Sequence, residues 1–311
     1  MMIDFNDYQN FLEKANTHTF KENDGIFIYQ KKLIRDVTFG IDKNGFLIII
    51  IPIKNQISGF QIRDFLTLKD QTKFYSENQN ILIEGSPLIF KRKNIIDHHS
   101  FLSQIILILE SKDYLINLSQ FLDILQKAHN ARNKFNAPSF FAEACTVLFL
   151  LKYFPDIANQ WGSSSNAIID IASSEEHPAI EVKSTLSNEE RIHTISIHQI
   201  RYFQKNPNTL LSSVIIFTKE DGISCKSICE KIISKLNPND NAYKFLKGLL
   251  ISHSDISNFT ENCFDEGMTL NNIQIHNPKF NDFPLDNPPI WLISGNLKIC
   301  MDSIPQIDIF K

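Results

Sequence analysis

The stretch AIIDIASSEEHPAIEVKS, residues 167–184, decides how the chain is read. Two Ile-containing runs, Ala167–Ala172 and Ala179–Ser184, flank Ser173–Pro178, a turn of hairpin size. Side chains alternate along a strand, so Glu181 and Lys183 fall on one side and Val182 on the other. Asp170 sits mid-run between Ile169 and Ile171. Pairing the runs predicts that Asp170, Glu181 and Lys183 meet at one sheet edge. Two carboxylates supply the oxygen ligands that Mg²⁺, or Mn²⁺ in its place, takes. Such an ion polarises a phosphoryl oxygen and helps make hydroxide from water. An ammonium beside it orients that water or offsets charge developing on the phosphate. The same residues also read as a cross-strand salt bridge on an exposed sheet face. The triplet alone does not separate the two readings.

Upstream lies FNAPSFFAEACTVLFLL, residues 135–151, a predicted helix that starts near Pro138 and runs to Tyr153. Glu143 is its only charge between Lys134 and Lys152. A carboxylate among such apolar neighbours is costly unless something binds it. A metal ion would, and so would a Lys or solvent at the helix border. Downstream come a strand over His193–Ile197, a helix over His198–Lys205, a strand over Ser213–Thr218 and a helix over Cys225–Leu236. From the Pro138 helix onward the order is α-β-β-β-α-β-α. Arg191, His193, Gln199, Arg201 and Tyr202 cluster at the strand-to-helix junction. Gln199 is placed to bond a phosphate or a metal-bound water. Arg191 and Arg201, with His193 between them, are candidates for phosphate contacts, which supply much of the affinity for nucleic acid. A solvated helix face is the alternative.

Residues before about 110 read mostly as strands: Gly25–Lys31, Val37–Ile41, Gly45–Ile53 and Asn80–Glu84, with a turn at Asp42–Gly45. His99–Leu109 and Tyr114–His129 show helical spacing. The expected division is a β-rich accessory domain over 1–112 and a catalytic domain over 113–311. In the Asn- and Pro-rich tail, Ile290–Ile293 and Leu297–Met301 read as a closing pair of strands.

The 311 residues carry a net charge of −4, which excludes a uniformly basic binder but not a local basic groove beside an acidic metal site. No apolar run approaches the ~20 residues of a membrane span, so no membrane is expected. The N-terminus does not read as a secretory signal. Five cysteines, an odd number, then suggest reduced thiols and a cytoplasmic location. Cys225 and Cys229 lack the partners of a zinc site and read as buried thiols on one helix face. There is no phosphate-binding Gly-rich loop ending in Gly-Lys-Ser/Thr. Lys91-Arg92-Lys93 is a basic cluster that reads as a solvated loop, with contact to a DNA backbone as the alternative.

Together, Glu143, Asp170, Glu181-Val182-Lys183 and Gln199-Ile200-Arg201-Tyr202, in this order of elements, resemble the PD-(D/E)XK nuclease superfamily. More closely, the pattern is similar to the bacterial "PD-(D/E)XK motif protein" family found among restriction and phage-defence genes. The specific resemblance covers about residues 138–205. Phe141-Ala142-Glu143-Ala144 departs from that family's usual F-G-E-L, and no Pro precedes Asp170. The resemblance implies a restriction-endonuclease-like αβββαβ core within an α+β protein. It implies Mg²⁺-dependent (or Mn²⁺-dependent) hydrolysis of duplex DNA, with Glu143, Asp170 and Glu181 as metal ligands and Lys183 at the nucleophile. A homodimer and partner proteins from a defence operon are further expectations. Two other classes stay open: a non-catalytic subunit that binds DNA or a partner, and a structure-specific or RNA-directed nuclease.

Overall fold

A computed structural model describes residues 3–20, 25–29, 34–51, 60–62, 65–69, 72–76, 81–131, 135–162, 168–186, 190–238, 240–280 and 296–307. They form an α+β protein of two compact units. One comprises residues 1–130 with 247–252, the other residues 131–246 with 253–311. Among the described residues no helix is long and apolar enough to cross a membrane.

The first unit runs α1 (Phe5–Thr17), β1 (Phe27–Ile28), β2 (Thr38–Ile41), β3 (Leu47–Ile51), β4 (Gln61–Ile62), β5 (Leu66–Leu68), β6 (Thr72–Ser76), β7 (Ile81–Phe90), α2 (Ile95–Glu110) and α3 (Tyr114–Ala131). Its sheet is antiparallel with order β1-β2-β3-β7-β5-β4, and β6 pairs with β7. The Asp42–Gly45 turn forms as read. Asp42 Oδ1 accepts from the amides of Asn44 and Phe46, each at 2.9 Å, and Gly45 takes φ 76°. β3 is apolar at every position because both faces are covered. Leu47, Ile49 and Ile51 pack with Phe39, Phe90, Phe101 and Phe121, while Ile48 and Ile50 pack with Ile26 and Ile28 on the other side. α3 shares the first of these cores through Leu118, Phe121, Leu122 and Leu125. The compact unit therefore extends one helix beyond the boundary expected at 112. α1, which the sequence reading left without an element, is capped by Asp4 and buries Tyr8, Phe11 and Ala15.

The second unit contains α4 (Ala137–Leu150), α5 (Ile157–Gln160), β8 (Ile180–Thr185), β9 (Ile192–Ser196), α6 (Ile197–Lys205), β10 (Leu210–Ile215), β11 (Thr218–Ser224) and α7 (Cys225–Ile233). After α8 (Asn241–His253), whose residues 247–252 belong to the first unit, come α9 (Ser257–Thr260), β12 (Cys263–Phe264), α10 (Glu266–Asn271), β13 (Ile273–His276) and β14 (Asn296–Cys300). β8 runs parallel to β10, and β13 adds to β10 antiparallel. The tail thus contributes a strand to the site-bearing sheet, which the sequence reading did not place. β14 pairs with β9, whereas Ile290–Ile293 lies outside the described residues. The expected strand over Ala167–Ala172 does not form as such. Within its described part, residues 168–172, Ile171 makes single bridges to Trp161 and Ile180. β10 begins at Leu210, three residues before the predicted start. Cys225 and Cys229 are free and buried on α7, as read.

α4 is tied to the sheet by one buried polar contact, Thr146 Oγ1 to Ser212 Oγ at 3.0 Å. Thr146 lies one turn after Glu143, so this contact also sets the height of Glu143 over β8. Thr146→Val leaves the Ser212 hydroxyl unpaired and is expected to lower unfolding free energy by about 1–3 kcal/mol. Adding Ser212→Ala should recover much of that loss. Urea unfolding of the two single variants and the double variant measures the coupling. Strictly additive losses would show that the pair does not act as a unit.

Candidate active site

Four elements converge on one acidic cluster. β8 carries Glu181 and Lys183, two residues apart and on one face. The bridge between Ile171 and Ile180, bonded in both directions at 2.9–3.0 Å, brings Asp170 alongside. Asp170 Oδ2 accepts from the Val182 amide at 2.8 Å, which fixes its carboxyl against β8. α4 brings Glu143, whose Oε2 accepts from Trp161 Nε1 at 2.9 Å. α6 brings Gln199. Its start is a capping box: Ser196 Oγ accepts from the Gln199 amide at 3.2 Å, and Gln199 Oε1 accepts from the Ser196 amide at 3.1 Å.

Glu181 is the hub. Only 1% of it is exposed. Its Oε1 accepts from Lys183 Nζ at 2.6 Å and from Gln199 Nε2 at 2.5 Å. Its Oε2 is buried and finds no hydrogen-bond donor among the described residues. Burial pushes the Glu181 carboxyl up to about 8, and repulsion from Asp170 adds to that while Lys183 opposes it. Glu143 is pushed up to about 8 by burial first and by Asp170 second, against the Trp161 hydrogen bond. Asp170 is raised by burial and held back by the Val182 amide and Lys183. Of the two, Asp170 is favoured in its ionised form by Glu181, and Glu181 is favoured in its protonated form by Asp170.

The charge balance describes what the site lacks. Three carboxylates against one ammonium would leave a net −2, and ions buried unpaired are expensive. A divalent cation restores neutrality, and hard oxygen donors are what Mg²⁺ or Mn²⁺ takes. The donor set and the orphaned Glu181 Oε2 therefore fit such an ion. As the side chains stand, no three His, Cys, Asp or Glu among the described residues surround a single ion-sized point. Lys183 instead occupies Glu181 Oε1.

The remaining sequence-predicted residues fall elsewhere. Arg191 is 4% exposed, and its guanidinium donates to Ser213 O at 2.9 Å and Asn272 O at 2.8 Å. His193 is 2% exposed, with Nε2 on Ser213 Oγ at 2.7 Å, and burial lowers it to about 4. The two side chains brace β9 against β10 and β13 and do not reach a surface where phosphate would lie. Arg201 is half-buried on α6. Gln199 Nε2 has both donors engaged, on Glu181 and on Ile168 O at 3.3 Å, so it positions Glu181 instead of presenting itself to phosphate. Tyr202 packs beside the Ile195, Ile200 and Phe203 core. Trp161 is the site residue that the sequence reading missed. Its signal was an indole N–H next to an apolar helix holding one carboxylate, two groups that each need a partner when buried. Comparison with protein-family models, curated proteins and solved structures finds nothing that matches this chain.

These shifts set a pH dependence. A carboxyl raised in the folded state holds its proton more tightly than in the unfolded chain, so stability is lost as pH rises from the ordinary Glu value towards about 8. His193 works the other way between about 4 and its ordinary 6.5, so the carboxyls are read most cleanly between pH 6.5 and 8. In EDTA the melting temperature is expected to fall across that window. The fall should be smaller in Glu181→Gln and smaller in wild type with saturating Mn²⁺. A pH-independent melting temperature in EDTA would contradict the assigned protonation.

Proposed function

We propose that the chain is a divalent-metal-dependent endonuclease that hydrolyses phosphodiester bonds in duplex DNA, in the manner of restriction enzymes. The observation that carries this reading is the convergence of Asp170, Glu181 and Lys183, with Glu143 beside them, in one buried cluster. The succession α4, Asp170 bridge, β8, β9, α6, β10 supports it, with β8 parallel to β10. So does the resemblance of these residues to the PD-(D/E)XK superfamily. Asp170, Glu181 and Glu143 would hold Mg²⁺ or Mn²⁺, which when bound would polarise the phosphoryl oxygen and promote ionisation of water.

The chain's own groups do the rest. Lys183, next to Glu181 on the same face of β8, would orient the attacking water and offset the charge growing on the phosphate. Gln199 keeps Glu181 from rotating, through a capping box that fixes its own backbone and amide. Trp161 does the same for Glu143. Water gives up one proton to solvent and adds through oxygen to phosphorus, the P–O3′ bond breaks, and the departing oxygen takes up a proton from solvent in return. Two copies acting together would cut two strands, and a role in phage defence belongs to the same resemblance.

A non-catalytic subunit is the second reading, and the direct 2.6 Å Lys183–Glu181 ion pair favours it. Lys183→Ala separates the two. In the endonuclease, cleavage of duplex DNA with Mg²⁺ should fall by about 10²-fold or more, with DNA binding retained. In the subunit, wild type cleaves nothing and the variant loses only stability, because Glu181 is left with Gln199 alone. The assay is gel cleavage of duplex DNA, branched DNA and RNA with Mg²⁺ and with Mn²⁺, run beside a melting curve. Cleavage by the variant at the wild-type rate would exclude the assigned role of Lys183.

A further inference from the structure

A concave site lies in the same unit and shares no lining residue with the acidic cluster. Its volume is about 770 Å³, within the range of pockets that enclose a small molecule. The walls are apolar: Leu148 and Phe149 from the last turn of α4, Leu151 and Pro155 just beyond it, and Leu270 from α10. The rim is cationic. Lys152, Lys231 and Lys235 line it, opposed by one carboxylate, Glu266. Lys231 pairs with Glu266, whereas Lys152 and Lys235 make no ion pair among the described residues. The site therefore already seats one carboxylate and keeps two ammonium groups over for another anion.

We infer that this pocket binds a small amphiphilic anion, an apolar body of drug-like size bearing one or two negative charges as carboxylate or phosphate monoester. The apolar walls take the body. Lys152 and Lys235 take the head group, with Lys231 able to exchange Glu266 for it. Three ammonium groups beside an apolar wall disfavour a cationic ligand by repulsion and a neutral one by leaving the rim unmatched. A flat protein partner would leave the depth of the pocket unfilled. This inference does not depend on the hydrolytic reading. α4 does connect the two places, since Glu143 and Leu148 are roughly 8 Å apart along its axis.

The test uses the full chain and 1-anilinonaphthalene-8-sulfonate, itself an aromatic anion. A fluorescence titration of the folded protein should saturate at one site. Decanoate and decyl phosphate should displace the probe, the stronger of the two identifying the head group, whereas decanol and decyltrimethylammonium should be at least tenfold weaker. Lys152→Glu with Lys235→Glu should weaken probe binding at least tenfold and leave the melting temperature within a few degrees of wild type. Leu270→Glu, which alters the wall and keeps the lysines, should also weaken it. The inference is overturned by the lack of a saturable site, by decanol competing as well as decanoate, or by unchanged binding in both variants.

Discussion

Glu181 is buried against a second carboxyl, Asp170, with a third, Glu143, raised by both and a single ammonium to offset them. Desolvation and like-charge repulsion act in the same direction here, so the folded chain either holds protons that would ordinarily be lost by neutral pH or takes up positive charge from outside. Much of the second unit is arranged to keep these groups together despite that strain. The Thr146–Ser212 hydroxyl pair holds α4 to the sheet, Trp161 holds Glu143, the Val182 amide holds Asp170, and the Ser196–Gln199 capping box aims an amide at Glu181. A surface salt bridge needs none of this, since exposed pairs contribute little and sit in water.

The buried cations have different duties. Lys183 lies among the carboxyls, where its charge offsets theirs. The Arg191 guanidinium lies 3.9 Å from the Asp302 carboxylate, which accepts from the Arg191 backbone amide at 3.1 Å, and its shortest hydrogen bonds go to backbone carbonyls of Ser213 and Asn272. An arginine placed this way joins three segments distant in sequence and acts as a brace. The pocket between α4, α7 and α10 shows a third arrangement, with lysines left at the rim of an apolar wall.

What was legible in the sequence follows the range of each signal. The strand over Ala179–Ser184, Pro138 at a helix start and Gly45 in a hairpin turn are local signals, and each is realised. The face shared by Glu181 and Lys183 followed from alternation alone. Asp170 reached its expected neighbours by a different route, because Ile171 pairs with Trp161 as well as Ile180 and the predicted strand shrinks to a bridge. The burial of Arg191 was not legible, since its partners lie 22 and 81 residues away and contribute backbone oxygens that no residue type announces. β13 was hidden for the same reason, as four residues of a loop-rich tail gain strand character by pairing with β10. Two local signals were present and unread: Asp4 ahead of Tyr8, Phe11 and Ala15, and Ser196 three residues before Gln199.

The central claim is that the Asp170–Glu181 cluster is built for a divalent cation. Isothermal titration of the full chain with Mn²⁺ at pH 8, where the raised carboxyls ionise, tests it most directly. The account predicts saturable binding of one ion per chain, accompanied by proton release that changes the measured heat between buffers, and loss of that binding in Asp170→Asn and Glu181→Gln. Wild-type protein that takes up no Mn²⁺, or variants that bind it as wild type does, would contradict the account.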